Sequence, residues 1–205
     1  MATQLQSALF GDNPSRFPDG FLFWEQFITP EEEAILITKI SALEFSPIEL
    51  HGVVAQRRAA HFGMRYSYET KKLSEGLALP EFLLPYRERF ARHIGMHAED
   101  FPQALINEYT PGAAIGWHID GPVYEIISGF SIVGNCQFKL RPLRPQEGNK
   151  RRTSISFDQP ARSAYVMSGD ARWNWQHSIP PTNSLRYSIT FRSLRLPRSQ
   201  SQNTI

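Results

Sequence analysis

The sequence predicts an α+β, mainly β domain: a sandwich or barrel-like double sheet with early helices packed on one face. Three observations predict it. Helix signals are confined to the first hundred residues. From about residue 104 short strand signals follow one another closely. Gly/Pro turns such as Pro111-Gly112 separate them.

Residues 1–20 are polar, with Gly and Pro, and read as a flexible arm. A single domain is expected over 21–196 and a frayed tail over 197–205. Thr29-Pro30-Glu31-Glu32 is a helix start: Thr29 can cap, Pro30 suits the first helical position, and Glu32 completes a capping box. Ile35, Leu36, Ile37, Ile40 and Leu43 then give a broad apolar stripe, ended by Ser46-Pro47. A second helix is expected from about Pro80 to Ile94, with Phe82, Leu83, Tyr86, Phe90 and Ile94 at helical spacing and Gly95 as its stop. Strands are expected over about 104–109, 115–119, 126–133, 137–141, 154–157, 163–167 and 187–194. Residues 142–152 form a basic loop.

Composition is that of a globular chain, with 41% apolar and 20% charged residues. No apolar run approaches the ~20 residues of a membrane span. The N-terminus lacks a basic segment followed by an apolar one, so no secretory leader is expected. The one cysteine, Cys136, excludes an intrachain disulfide and fits a cytoplasmic protein, here expected to be a monomer. In its apolar stretch it reads as a small buried residue. Charge is unevenly placed. Residues 1–138 hold 10 Lys/Arg and 17 Asp/Glu, a net of −7; residues 139–205 hold 12 and 3, a net of +9. A basic half fits an anionic partner, or a solvated surface balanced by the acidic half.

His118-Ile119-Asp120 would present an imidazole and a carboxylate on one strand face. Alone the pair is weak evidence. His177, in Trp173-Asn174-Trp175-Gln176-His177, adds a third ligand. Two histidines and one carboxylate suit iron(II) and leave coordination positions open. His51, His61, His93 and His97 read as surface or packing residues. Downstream, Arg186-Tyr187-Ser188-Ile189-Thr190-Phe191-Arg192 alternates, so Arg186, Ser188, Thr190 and Arg192 share one face. Two buried guanidiniums need anions, and a dicarboxylic cosubstrate offers one at each end. Two surface arginines on an edge strand are the plainer alternative.

Four motifs in this order resemble the AlkB family of iron(II)/2-oxoglutarate dioxygenases. They are Asn107-x-Tyr109 with Pro111-Gly112; His118-x-Asp120; Ser168-Gly169-Asp170-Ala171-Arg172 leading to His177; and Arg186-x-Ser188-x-Thr190-Phe191-Arg192. The resemblance implies a double-stranded β-helix (jelly-roll) core over about 104–195. It implies Fe(2+) on His118, Asp120 and His177, with 2-oxoglutarate and O2 as cosubstrates. Arg186, helped by Asn107, Tyr109 and Ser188, would hold the far carboxylate of 2-oxoglutarate, with Arg192 near the metal-proximal end. His61-Phe62-Gly63-Met64-Arg65-Tyr66-Ser67-Tyr68 resembles the family's nucleotide-recognition lid, over about 50–70. That implies Arg57, Arg58, Phe62, Arg65, Tyr66 and Tyr68 as substrate-binding residues; an ordinary hairpin with a core aromatic pair is the alternative. The segments around His61 to Tyr68 and Asn107 to Asp120 are similar to the branch acting on the wobble uridine of transfer RNA. Gly121-Pro122-Val123 follows Asp120, where the founding bacterial enzyme has a second base-reading acid, which argues against repair of methylated adenine and cytosine.

The expected function is therefore oxidative demethylation or hydroxylation of a modified base in nucleic acid, single-stranded or flipped out. The same chemistry on a protein side chain or small molecule is the alternative, and a non-catalytic metal-binding module a further one.

Overall fold

The computed structural model describes residues 16–50, 53–145 and 151–195. The chain runs β1 (Phe21–Trp24), α1 (Pro30–Ser41), β2 (Ser46–Leu50), β3 (Val53–Ser67), β4 (Lys72–Glu75) and α2 (Leu84–His93). Then follow β5 (Gln103–Tyr109), β6 (Ile115–His118), β7 (Tyr124–Val133), β8 (Cys136–Pro142), β9 (Ile155–Gln159) and β10 (Ala164–Met167). The short helix α3 (Gly169–Trp173), β11 (Trp175–Ile179) and β12 (Arg186–Leu194) complete it.

An eight-stranded sheet has the order β1-β10-β7-β12-β5-β3-β2, with β4 on β3. A four-stranded sheet has the order β6-β11-β8-β9. The pairings are antiparallel, and the fold is the expected jelly roll with helices on one face.

Helix α1 starts where the sequence places it. The Thr29 side chain accepts from the Glu32 N–H and the Glu32 carboxylate accepts from the Thr29 N–H, a box that satisfies orphan helix-end donors. Leu36 and Ile40 are buried, while Ile35 turns outward at 57% exposure. The second helix begins later than expected, because residues 81–83 form a 3-10 turn before Pro85 settles into the first helical turn. Arg89 on α2 bonds Glu32, tying the two helices together.

Strand alternation divides β12 between two layers. Tyr187, Ile189 and Phe191 join Phe130, Phe90 and Leu36 in a core between the larger sheet and the helices. Each such side chain contributes roughly 1.5–3 kcal/mol by leaving water. Arg186, Ser188, Thr190 and Arg192 face the space between the two sheets. A second core of Tyr109, Ile127, Phe138, Tyr165 and Ile179 lines that space, and Cys136 is buried there as expected.

Of the expected arm, residues 1–15 lie outside the described residues, as do the tail from 196, His51 and residues 146–150 of the basic loop. Residues 16–20 do not behave as an arm. The Phe17 ring packs against Phe21 and Phe157, at 5.0 and 4.9 Å between centroids. The reason is that β1 adds to the larger sheet beside β10, which carries the preceding aromatic into the core.

Candidate active site

The site lies between the sheets, in a cavity of about 160 Å³. The smaller sheet supplies two imidazoles. His118 at the end of β6 and His177 on β11 are register partners, and antiparallel partners point their side chains to the same face. Their rings lie 4.1 Å apart between centroids. Asp120 follows β6 closely enough to turn its carboxylate to the same point. One ligand atom from each of the three residues falls within 4.8 Å of the others. The expected convergence of His118, Asp120 and His177 is thus present.

Hydrogen bonds set which atoms converge. His118 Nδ1 lies 2.9 Å from the Gly116 carbonyl. A carbonyl only accepts, so Nδ1 carries the proton and Nε2 is left unprotonated toward the centre. His177 Nε2 lies 3.5 Å from Asp120 Oδ2. Asp120 Oδ1 accepts from Arg192 Nε at 2.9 Å and Nη2 at 2.6 Å. One carboxylate oxygen is therefore taken by Arg192 and the other stays free.

Burial pushes the His177 imidazole down to about 3, with His118 and nearby guanidiniums adding to the effect. Burial lowers His118 too. Burial alone would raise Asp120, but Arg192 and the two imidazoles outweigh it and hold the carboxyl well below the usual range. At neutral pH the trio is two neutral imidazoles and one carboxylate, the protonation state a divalent cation requires.

Arg172 has a place that strand periodicity does not reveal. It is fully buried, and its Nη2 donates to the carbonyls of Asp120, Gly121 and Tyr124. The segment carrying Asp120 is thereby tied to α3, just before the strand that carries His177.

Arg186 sits deeper, at 1% exposure. Its Nε donates to Ser131 Oγ and its Nη2 to Gln159 Oε1, each at 3.1 Å, and the guanidinium lies 5.1 Å from the Tyr109 ring centroid. Its Nη1 is buried with no partner among the described residues, and so is Gln159 Nε2. A buried guanidinium nitrogen without an acceptor is costly. The fit to a carboxylate is direct: the cavity offers free N–H groups at one end and a three-ligand cluster at the other, with Asn107 and Ser188 in its wall.

Arg192 has protein partners on three of its atoms. Its Nε and Nη2 go to Asp120 and its Nη1 to Gln103 Oε1 at 2.9 Å. The anion it faces is the Asp120 carboxylate, so it positions that ligand. It does lie at the metal-proximal end.

A model of the 2OG-Fe(II) oxygenase superfamily matches residues 25–192. The chain belongs to that superfamily. Its members use Fe(2+), 2-oxoglutarate and O2, and His118, Asp120 and His177 form a cluster that fits the iron. Relatives make it AlkB-like. Mouse tRNA (carboxymethyluridine(34)-5-O)-methyltransferase ALKBH8 is 31% identical over 175 residues, which is 80% of this chain and 24% of that protein. The Arabidopsis thaliana "Alkylated DNA repair protein ALKBH8 homolog" is 26% identical over 219 residues, 90% of this chain and 60% of the relative. Protein L905 of Acanthamoeba polyphaga mimivirus is 25% identical, covering 91% of this chain and 90% of its own. The oxygenase thus spans little more than half, or about a quarter, of the relatives that carry functional names. Among solved structures, OsALKBH1 superposes with a TM-score of 0.65 at 13% identity, over 86% of this chain and 99% of that one. A Pseudomonas putida prolyl-4-hydroxylase gives 0.60 at 12%, over 86% and 93%. These two likenesses show the fold.

The expected substrate residues divide. Arg57, Arg65, Tyr66 and Tyr68 line the cavity. Phe62 and Arg58 do not. Phe62 is 8% exposed within the helix-side core, and Arg58 points away to pair with Glu108 at 2.6 Å. The cause is strand parity. Positions 58, 60 and 62 of β3 face the helices, and 57 and 61 face the cavity. Beyond Gly63, at φ +73°, β3 leaves β5 and pairs with β4, and Arg65, Tyr66 and Tyr68 all line the cavity there. A Cβ at Gly63 would overlap the Pro102 carbonyl. His61, read as a packing residue, lines the cavity instead, and its Nδ1 is buried without a partner among the described residues. The signal that could have found it is its separation of four from Arg57 along one strand.

Proposed function

We propose that the protein oxidises a modified base in nucleic acid, hydroxylating a C–H bond or removing an N-linked methyl group, at an iron held by His118, Asp120 and His177. The carrying observation is the wall of the cavity nearest the triad. Tyr66 and Tyr68 meet edge to face at 5.2 Å, and Tyr68 is 52% exposed at the mouth. Behind them Arg57 Nε and His61 Nδ1 are buried and unpartnered among the described residues. Aromatic faces with a few unmatched polar atoms suit a planar, hydrogen-bonding heterocycle.

Iron(II) and 2-oxoglutarate supply the oxidation: one atom of O2 goes into succinate as carbon dioxide is lost, and the other enters the substrate C–H bond. The residues do the rest. His118, His177 and Asp120 would hold the metal, and Arg192 keeps Asp120 to one free oxygen. Arg186, beside Tyr109, Asn107 and Ser188, binds the far carboxylate of 2-oxoglutarate. Burial, then Arg65 and Arg192, push His61 down to about 4, so at pH 7 it meets the base as a neutral hydrogen-bond partner. Arg57 stays cationic and binds a carbonyl or an anionic substituent. Tyr68 closes on Gly121, where a Cβ would lie 3.1 Å from its hydroxyl.

Relatives named for transfer-RNA uridine chemistry and for alkylated-DNA repair support a nucleic-acid substrate. The test is a panel of modified RNA and DNA oligonucleotides incubated with protein, iron(II) and 2-oxoglutarate, read by nucleoside mass spectrometry. The proposal expects one modified base to gain an oxygen or lose a methyl group. Turnover on a peptide or small molecule with none on any oligonucleotide would overturn the choice of substrate.

A further inference from the structure

Seven arginines, from Arg58 to Arg195, lie against carboxylates. Arg141 and Arg152 have no such partner among the described residues, although Arg141 is held firmly. On β8 it stands opposite Gln176 of β11, and its Nε donates to Gln176 Oε1 at 2.8 Å. Its guanidinium lies 4.2 Å from the Trp117 ring centroid. Arg152 Nη1 reaches the same Gln176 oxygen at 3.3 Å. Lys139 stands two residues along β8 from Arg141, opposite Ser178 and on the same face. A flat cation stacked on an indole and steered by a neutral amide is preorganised for an anion that no described residue supplies. Among the described residues the acid on this face is Asp158, which pairs in register with Gln137, towards the far end of β8, and is hydrogen-bonded to it.

The position matters as much as the charge. Strands β6 and β11 turn His118 and His177 inward to the triad and Trp117 and Gln176 outward. Strand β6 is an edge of its sheet. A polymer leaving the cavity beside His118 therefore meets Trp117 on passing that edge, one strand layer from the reacting centre.

We propose that this outer face of the four-stranded sheet, built on Trp117, Lys139, Arg141, Arg152 and Gln176, docks the phosphodiester backbone of the substrate nucleic acid outside the base pocket. The inference rests on the nucleic-acid reading above. It places part of the +9 charge of residues 139–205 in a defined role: phosphate contacts position the polymer, and the pocket reads the base.

The test compares wild type, Arg141→Gln, Lys139→Gln with Arg141→Gln, Trp117→Ala and Arg141→Lys. Affinity for RNA and DNA of one sequence is measured across a salt series, with KM and kcat on a modified oligonucleotide and succinate release without nucleic acid. Removing both cations should raise Kd and KM about tenfold and flatten the salt dependence by roughly 0.7–0.9 for each phosphate left unneutralised. The values of kcat and of nucleic-acid-independent succinate release should hold, and Arg141→Lys should keep the salt slope. If the Arg141 variants lose stability, Lys139→Gln alone decides the question, because it should flatten the salt slope by the share of one phosphate while an unchanged slope would overturn the platform. Unchanged Kd and slope while wild type still oxidises its oligonucleotide would overturn the platform alone. No binding by wild type to any nucleic acid at low salt would overturn the platform and the substrate class together. Polyglutamate displacing the nucleic acid as well as a second nucleic acid does would overturn it in favour of an acidic protein partner.

Discussion

Replacing Arg186 by Met separates cosubstrate binding from folding. In the unliganded protein Arg186 satisfies two of its nitrogens through Ser131 and Gln159, each at 3.1 Å, and leaves Nη1 buried and alone among the described residues. Methionine fills much of the same space and removes an unpaired buried charge. Such exchanges are often neutral or stabilising, so the melting temperature of the unliganded variant should stay level or rise. Binding should behave oppositely. A carboxylate in this cavity loses its charge-assisted hydrogen bond to a buried cation, a change worth about 2–5 kcal/mol, or roughly 30- to 4,000-fold in Kd at 1.4 kcal/mol per factor of ten. The assay is calorimetric titration of 2-oxoglutarate with Mn(II) in place of iron, which prevents turnover, beside thermal denaturation without ligand. An intact fold with Kd raised less than about threefold would refute the reasoning, because Nη1 would then not be facing the cosubstrate.

Arg192→Gln should weaken metal binding about 10- to 100-fold, the usual effect of removing a partner that orients a ligand, with a smaller change in 2-oxoglutarate affinity. The reverse ranking in paired titrations would make cosubstrate binding its main role. Metal-free protein should lose stability as pH falls from about 6.5 towards 3. In that window the unfolded chain protonates its histidines, while His177 stays neutral down to about 3. Denaturant melts across pH check the slope, which should be smaller in His177→Phe, and an equal slope would contradict the assignment. Arg58→Ala should cost about 1–3 kcal/mol, since Arg58 is half-exposed but Glu108 is buried and would keep only the Tyr187 hydroxyl, and leave KM for an oligonucleotide unchanged. Arg57→Ala should raise that KM about tenfold or more, because the substrate's acceptor is then buried without its donor.

Much of the site was legible because its chemistry demands a rare juxtaposition. Two guanidiniums alternating with Ser and Thr on β12 cannot be ordinary core, and their strand does face the cavity while Tyr187, Ile189 and Phe191 face the helices. The capping box at Thr29 and the strands from 104 onward likewise carry strong local signals. What was illegible has physical causes. Strand β3 carries the pairs Arg57-Arg58 and Ala59-Ala60, so no alternation betrays which residue faces inward. At Gly63 the strand passes from β5 to β4, so parity counted before that point does not carry past it. The missing alternation before Gly63 hides the true directions of Arg58, His61 and Phe62. The partner of Arg192 depends on how the segment after β6 folds back, which strand periodicity does not encode. The cap on that segment by Arg172 is also tertiary, joining residues 48–52 positions apart.

Coupling between cosubstrate consumption and base oxidation is the most direct measurement of what the triad does. With iron(II), 2-oxoglutarate and oxygen, wild-type protein should release succinate in step with a modified nucleoside that gains one oxygen or loses one methyl group, and Asp120→Ala should do neither. Succinate release that persists undiminished in Asp120→Ala and His177→Ala would contradict the claim that the reaction occurs where these side chains meet.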